Sequence, residues 1–515
     1  MNRRFAAILA ACVLSICCIV PAAFAAEKSL VIGLASDALF MDPSQQDETI
    51  TNTMGRYMYD GLLNSDALGL PTPALATSWS VGDDNLTWTF TLRKGVKFHD
   101  GGDFTADDVA YTIEVCRTSL LKNFTASIKE VQIVDPHTVK IITSVPTAVL
   151  LESLVPLRIL PKAYRTKVGA EKFNQAPVGT GPYVFQEWIK EDHISMKANE
   201  AYWGGAPKIK KVTMRPISNA ATRTAALLTG EVDIVEDVPV RDVDKVKGTS
   251  GFAVVDRPSE RLIYLHVDAN RPKGAGVIGL DKNPFNDIRV RKALSLAINR
   301  DAIVKMIMNG NAYPTNQLVL EGRRGHTKKI PAPVFDPAEA KKLLAEAGYP
   351  DGFKVYLDAP NGRYVNDGQV AQALASQLTK VGIQIELRLH PKSVFFDFVR
   401  PGDKSSLVMT GWSEPIDVGE LGNVLFYTRG KNPAKGGSNR GHYANPEFDK
   451  LLDAADATAD PAKRAGLLEE AAALIVGDCG VVPLYFQQDL YGKKANVAFE
   501  PRADKSILAA DMDVK

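Results

Sequence analysis

The feature that most constrains the fold is an alternating stretch over residues 86–93. Its apolar positions alternate with polar ones and are Leu86, Trp88, Phe90 and Leu92. A period of two places apolar side chains on one face of a β-strand, and this largely aromatic face must pack against a hydrophobic core. The pattern therefore predicts a half-buried strand.

Turn and helix signals follow this strand directly. Lys94-Gly95 and the segment 99–102 contain glycines, which accept the backbone angles that tight reversals need. Thr105 and Asp108 have the spacing of a capping box, in which each side chain bonds to the other residue's backbone at the start of a helix. Residues 86–114 thus predict a strand, turns and a capped helix.

Strand and helix signals alternate along the rest of the chain, which predicts an α/β or α+β class. Residues 30–34 have the pattern of a buried strand, and residues 131–142 that of a hairpin. Apolar residues at helical spacing predict one helix over 287–308.

Three further helices are predicted from their first residues. Proline follows a capping side chain at Asp336, Asn445 and Asp460. The capping oxygen can accept a hydrogen bond from the first turn, and proline fits the first helical position because its missing N–H is not needed there. Each of these positions therefore predicts a helix start.

The N-terminus has the three parts of a secretory signal peptide. A short basic head with Arg3 and Arg4 precedes an apolar core over residues 5–20, and small residues surround Ala25. We therefore expect residues 1–25 to be removed on export, with an uncleaved membrane anchor as the alternative. Soluble export is favoured over lipid attachment at Cys17, because bulky Ile16 precedes that cysteine.

Charge and cysteine content exclude several classes of partner. The chain has 61 Lys and Arg against 60 Asp and Glu, a formal net charge of +1. Without Arg3 and Arg4 the exported chain carries about −1 (+1 − 2), so no global field attracts nucleic acid. Cys116 and Cys479 remain after export. A chain of this size can be stabilised by its core alone, and we predict no structural disulfide.

Residues 86–114 closely resemble the signature region of the family 5 bacterial extracellular solute-binding proteins. Other motifs follow in the order that this family has, so the resemblance covers nearly the whole exported chain. These motifs lie at residues 59–63, 74–80, 178–183, 202–203, 228–233, 284–291, 340–348, 411–412 and 443–448. Each motif alone is weak, but the ordered set is highly specific.

The resemblance implies a periplasmic binding protein-like α/β fold, with two lobes joined by a two-segment hinge and an additional domain in one lobe. Domain I is expected to be discontinuous, with domain II between its first and second segments and domain III between its second and third. The expected limits are 26–56, 175–283 and 488–515 for domain I, 57–174 for domain II, and 284–487 for domain III. The chain would cross between lobes near Asn283 and Gln488, and ligand binding would select the closed form.

The resemblance also implies a function. The protein is expected to be a monomeric periplasmic receptor that delivers a peptide or peptide-like solute to the membrane permease subunits of an ABC importer, without catalysis or a cofactor. An opine, an oligosaccharide or a chelated metal is the alternative ligand. An exported hydrolase using two acids is the alternative from another class. The chain has no HExxH, CxxC or GxSxG motif and no histidine pair at metal-ligand spacing, which favours the receptor.

Arg363 is the expected carboxylate anchor of the ligand site. It follows a predicted strand and precedes a predicted helix over residues 366–378, similar to the place where the dipeptide receptors present a carboxylate-binding arginine. A guanidinium fork matches both oxygens of a carboxylate. An exposed loop arginine without a ligand is the alternative interpretation.

Trp412 is expected to form the opposite wall, where an indole covers apolar ligand surface, although core packing is an alternative. The peptide receptors typically place an aspartate for the ligand amine three residues beyond this tryptophan, but Pro415 occupies that position here. Glu414 and Asp417 are the candidate replacements, with a solvated loop as the alternative for both. Phe40, after the first strand, is a further candidate by its position.

Overall fold

The computed structural model describes residues 27–45, 49–400, 402–413, 417–432, 435–458 and 460–515. The predicted signal peptide, residues 1–25, lies outside the described residues. The strands are β1 (Ser29–Leu34), β2 (Leu63–Ser65), β3 (Pro71–Pro73), β4 (Ala76–Val81), β5 (Thr87–Leu92), β6 (Ile128–Asp135), β7 (Thr138–Thr143), β8 (Tyr183–Ile189), β9 (His193–Ala198), β10 (Lys211–Pro216), β11 (Ile234–Val235), β12 (Phe252–Val267), β13 (Val277–Ile278), β14 (Ala312–Pro314), β15 (Phe353–Asn361), β16 (Ile383–Pro391), β17 (Leu407–Trp412), β18 (Val481–Lys494), β19 (Val497–Ala498) and β20 (Asp513–Val514).

Helices alternate with these strands, as the sequence predicts. They are α1 (Thr49–Met58), α2 (Ala106–Arg117), α3 (Lys122–Thr125), α4 (Leu150–Leu154), α5 (Lys162–Gln175), α6 (Ala220–Thr229), α7 (Val243–Gly248), α8 (Ile288–Leu296), α9 (Arg300–Met306), α10 (Pro337–Glu346), α11 (Asp367–Lys380), α12 (Lys392–Val399), α13 (Val418–Leu425), α14 (Pro446–Asp456) and α15 (Pro461–Gly477). Short 3₁₀ turns occur at Val240–Asp242, Pro284–Asn286 and Ala509–Asp511.

One large mixed sheet runs through both lobes of the molecule. Its order is β13-β15-β17-β12-β18-β11-β1-β10-β9-β8, with β16 beside β15 and β14 beside β18. We call the part built on β1 and β8–β11 the first lobe, and the part built on β13–β17 the second lobe. The antiparallel pair of β12 and β18 lies between them and joins the two halves.

The alternating stretch over residues 86–93 belongs to a separate, smaller sheet in the order β4-β5-β7-β6. Trp88, Phe90 and Leu92 are buried in its core, which confirms the predicted strand, and the predicted hairpin is present as β6 and β7. The Thr105 N–H donates to Asp108 Oδ2 at 2.9 Å at the start of α2, which confirms the capping box. The strand, the hairpin and the helix start in this part of the chain could therefore be predicted from short stretches of sequence.

One helix prediction is wrong in its extent. The stretch 287–308, predicted as a single helix, forms α8 and α9 with a break between them. The break follows from Asn299, whose side chain accepts a hydrogen bond from the N–H of Ala302 and caps a new helix. The helices predicted from the proline positions are confirmed as α10, α14 and α15, and each begins with that proline.

The two lobes have separate hydrophobic cores. One buried cluster surrounds Leu30, Ile32 and Tyr183 in the first lobe, and another surrounds Leu357 and Leu374 in the second. Because each lobe has its own core, the lobes can move relative to one another by bending the strands that connect them.

The connection between the lobes has an irregularity in its register. Pro258 pairs with Gln488, and the next pair is Leu262 with Phe486, so the β12–β18 ladder shifts at this point. From Leu262 onward β12 also pairs with β17 of the second lobe. The chain thus already pairs with a second-lobe strand at Leu262. The sequence predicts the crossing between lobes further along the chain, near Asn283. The domain limits predicted from the sequence stay a prediction.

Two findings bear on the exported state. Across the ranges given above, no helix has both the length and the apolar character that crossing a membrane requires. Cys116 and Cys479 are both free thiols, the first buried and the second half-buried.

Candidate ligand-binding site

A cleft of about 1020 Å³ lies where the two lobes face each other across β12 and β18. The first lobe contributes the segment 237–241, and the second lobe contributes segments 306–309 and 363–366. The connecting strands contribute Arg261 and the segment 487–490. The cleft is therefore bounded by parts of the chain that lobe movement would bring together or separate.

Arg363 lies in this cleft on a loop that is held in a defined shape. The carboxylate of the buried Asp367 accepts hydrogen bonds from the backbone N–H groups of Gly362, Arg363 and Tyr364, at 3.0, 2.7 and 2.9 Å. Gly362 has φ 81°, a conformation that favours glycine. Three such bonds to one carboxylate fix the loop at the start of α11.

The Arg363 side chain is half-buried and makes aromatic contacts. Its Cζ lies 5.2 Å from the ring of Tyr364 and 5.9 Å from the ring of Phe396. It forms no ion pair with any carboxylate of the described residues. A guanidinium held against aromatic rings but not neutralised by the protein can take a carboxylate from a ligand.

The ring of Tyr364 contacts arginine side chains of the cleft, a role that the sequence analysis did not predict. Its hydroxyl accepts from the N–H of Gly411 at 2.9 Å and donates to the carbonyl of the same residue at 3.1 Å. Arg261 Cζ lies 5.8 Å from the Tyr364 ring, so this ring contacts two arginines. The spacing of these residues in the sequence gave no signal, because β12, β17 and the loop before α11 meet only in the folded chain.

The first-lobe wall of the cleft carries Asp237, and the neighbouring backbone is fixed by Arg223. The buried Arg223 guanidinium donates to the carbonyl oxygens of Ile217 and Glu236, at 2.6 and 2.9 Å. Asp237 adopts a left-handed φ of 51° and is exposed in the cleft. Burial, together with the neighbouring Asp237, raises the pKa of Glu236 to about 7.

The connecting strand β18 contributes polar side chains to the cleft from an otherwise apolar run. Gln487 and Asp489 are each 6% exposed. Asp489 Oδ1 pairs with Lys505 Nζ at 2.8 Å. Burial raises the pKa of Asp489, while Lys505 and Ser259 act in the opposite direction. The polar residues at 487–489 inside an apolar strand are a signal in the sequence that could have marked this part of the site.

Of the five residues proposed from the sequence, the structure places Arg363 in the cleft. Trp412 ends β17, pairs with Leu262 and packs, partly buried, against the second-lobe cluster around Leu421. Phe40 is half-buried in the loop after β1. The cleft lining within the described residues includes neither Trp412 nor Phe40. Glu414 lies outside the described residues.

Asp417 has a structural environment rather than a cleft position. It is fully buried, caps α13 by accepting from the N–H of Glu420, and pairs with Arg464 at 2.9 Å. Arg324 Nε lies 3.4 Å from the same carboxylate. With two arginines around it, the Asp417 carboxylate is not available to a ligand amine in this conformation. A metal centre is not evident either: no group of three His, Cys, Asp or Glu in the described ranges could hold an ion.

Comparisons with known proteins identify relatives that bind solutes. The family of bacterial extracellular solute-binding proteins, family 5, matches residues 71–434. The glutathione-binding protein GsiB of Salmonella choleraesuis (strain SC-B67) is 30% identical over 508 residues, which is 95% of either chain.

Solved structures share the fold over nearly the whole chain. HbpA2 from Haemophilus parasuis matches with a TM-score of 0.84 at 23% identity, covering 95% of this chain and 100% of the other. AgaA from A. tumefacien R10, in complex with agropinic acid, matches with a TM-score of 0.71 at 27% identity, covering 95% and 99%. The resemblance inferred from the motifs is thereby confirmed: the chain belongs to the bacterial extracellular solute-binding proteins of family 5, the substrate-binding receptors of ABC importers.

Proposed function

We propose that this receptor binds a short peptide-like solute in the cleft between its lobes and holds the solute's carboxylate with Arg363. It acts in the periplasm as a monomer, without catalysis, and delivers the solute to the permease subunits of its importer. Glutathione is the first candidate ligand, because the GsiB relatives at 30% identity are glutathione-binding proteins.

The observation that carries this proposal is that Arg363 lies on a fixed loop in the cleft and has no carboxylate partner among the described residues. The loop that presents it is fixed by three backbone hydrogen bonds to Asp367, so the guanidinium needs little reorganisation to bind. Tyr364 and Phe396 exclude water from part of its surface, which strengthens a charged hydrogen bond. With no described carboxylate paired to it, the remaining charge is complementary to that of a ligand carboxylate.

The size of the cleft supports a ligand larger than a single amino acid. Ligand pockets commonly measure about 300–1000 Å³, and this cleft lies at the upper end of that range, as expected before the lobes close on a ligand.

An opine is the second candidate, because AgaA was solved in complex with agropinic acid. Isothermal titration of the purified protein with glutathione, glutathione diethyl ester and agropinic acid separates these cases. We expect glutathione to bind and the ester, which has lost both carboxylates, to bind at least about tenfold more weakly. Binding of agropinic acid alone would replace the peptide by an opine. Equal binding of acid and ester would contradict the carboxylate anchor.

A further inference from the structure

Two buried polar atoms in the cleft have no hydrogen-bond partner among the described residues. They are Nε2 of Gln487, a donor, and Oδ2 of Asp489, an acceptor. Both residues line the cleft and are more than nine-tenths buried. Since they are two apart on β18, their side chains lie on the same face of the strand. Buried polar groups are nearly always bonded, so an unpaired donor and an unpaired acceptor side by side indicate a place for a ligand.

The unpaired carboxylate oxygen of Asp489 suits an N–H donor of the ligand. Asp489 uses only its Oδ1 atom to bind Lys505, and Asp237 adds a second carboxylate on the cleft wall. Arginines also line this part of the cleft: Arg223 donates to backbone carbonyl oxygens of the first lobe, Arg261 lies against the ring of a second-lobe tyrosine, and Arg241 is exposed. Lys505 takes one oxygen of the Asp489 carboxylate, so Oδ2 is the oxygen left to accept a hydrogen bond from a ligand ammonium.

We propose that Asp489 Oδ2, with Asp237 beside it, binds the ammonium group of the ligand, and that Gln487 Nε2 donates to a carbonyl oxygen next to that ammonium. This subsite rests on the proposed function, since it serves the same ligand whose carboxylate binds Arg363. The peptide receptors typically bind the ligand amine with an aspartate three residues beyond the tryptophan, where this chain has Pro415. In this proposal Asp489 takes the place of that aspartate. The preferred substrates are therefore zwitterionic, with an ammonium at the connecting strand and a carboxylate at the second lobe.

The position of the subsite also couples binding to lobe movement. Gln487 and Asp489 flank Gln488, which pairs with Pro258 at the register shift of the connecting strands. A ligand held there and at Arg363 contacts both the connection and the second lobe, so it is bound best when the second lobe approaches.

The test is a titration that crosses one protein group with one ligand group. Wild type, Asp489→Asn and the control Asp244→Asn are each titrated with glutathione and with N-acetylglutathione, which lacks the ammonium. Asp244 is an exposed acid on α7 that does not line the cleft, so its change removes one negative charge outside the site. We expect Asp489→Asn to weaken glutathione by about 10- to 100-fold and N-acetylglutathione by less than about threefold, with the control close to wild type.

Other outcomes overturn the inference in distinguishable ways. Equal losses for both ligands would make Asp489 a structural residue, and unchanged glutathione binding would remove the subsite while leaving Arg363 as anchor. No binding of either ligand by wild type would overturn the proposed function together with the subsite. If Asp489→Asn does not fold, the exposed Asp237→Asn serves instead. It is expected to weaken glutathione severalfold and to spare the acetylated form, and an equal effect on both ligands would again overturn the proposal.

Discussion

Replacing Arg363 with alanine removes the guanidinium from the cleft and leaves the loop that carries it in place. The loop is held by backbone N–H groups that bond to Asp367, and these do not depend on the Arg363 side chain. The variant is therefore expected to fold like wild type, with a thermal midpoint within about 2 °C, since surface substitutions change stability by less than about 0.5 kcal/mol.

The expected loss of affinity follows from the surroundings of the side chain. A hydrogen bond to a charged group contributes about 1.5–3 kcal/mol, and a fork can donate two of them to one carboxylate. Because Arg363 is half-buried, water screens part of this energy, and we expect a total of about 2–3 kcal/mol, or about 30- to 150-fold in Kd. Arg363→Lys keeps the charge but loses the fork, so its loss should be intermediate.

Titration calorimetry with glutathione measures these losses directly. Arg400→Ala is the matched control, because this arginine lies on the same lobe with a side chain that is 70% exposed. It should bind like wild type. An Arg363→Ala protein that keeps its fold and binds within about threefold of wild type would refute the reasoning and remove Arg363 from the site.

Three further predictions concern other parts of the molecule. Asp417→Ala leaves the buried Arg464 without its main partner, so it should lower the free energy of unfolding by about 3 kcal/mol in thermal or urea denaturation. Glutathione affinity should change less than about twofold. A large loss of affinity in a variant that stays stable would make Asp417 a ligand-binding residue. Phe90→Ala opens a cavity in the small sheet and should lower the unfolding free energy of the protein by about 3–5 kcal/mol, and a loss below about 1 kcal/mol would contradict the packing described for β5. The pKa of Glu236 is raised from its ordinary 4.5 to about 7 by burial and by Asp237, so the folded state holds the proton more tightly and stability falls as pH rises from about 4.5 to 7. Glu236→Gln should flatten that part of a stability–pH profile, and an unchanged slope would assign it to other groups.

Much of the fold could be predicted because its signals are local. The alternation around Phe90 and the capping box at Thr105 are complete within a few residues, and the structure forms both. The break between α8 and α9 was missed because Asn299 competes with an apolar pattern that continues on both sides of it. Capping there outweighs periodicity, since a side chain that bonds the next turn's N–H ends one helix and starts another.

The candidate site was less predictable because its residues come from distant parts of the chain. Arg363 could be placed by resemblance to a family motif, but its neighbour Tyr364 acquires a role only through Gly411, 47 residues away. Asp417 was a reasonable candidate in sequence, yet its partner Arg464 is equally remote and takes the carboxylate into the core. Asp489 is the opposite case, because it lines the cleft but was not a candidate in the sequence. A polar residue inside an apolar strand indicates a binding site only once the positions of the lobes around it are known.

Native mass spectrometry of the protein purified from its own periplasm, followed by denaturation and identification of what is released, tests the central claim most directly. We predict a co-purified small molecule, or a mixture of short peptides, in which every species carries at least one carboxylate and one amine. A released compound that lacks a carboxylate would contradict the account of the cleft, whatever its affinity.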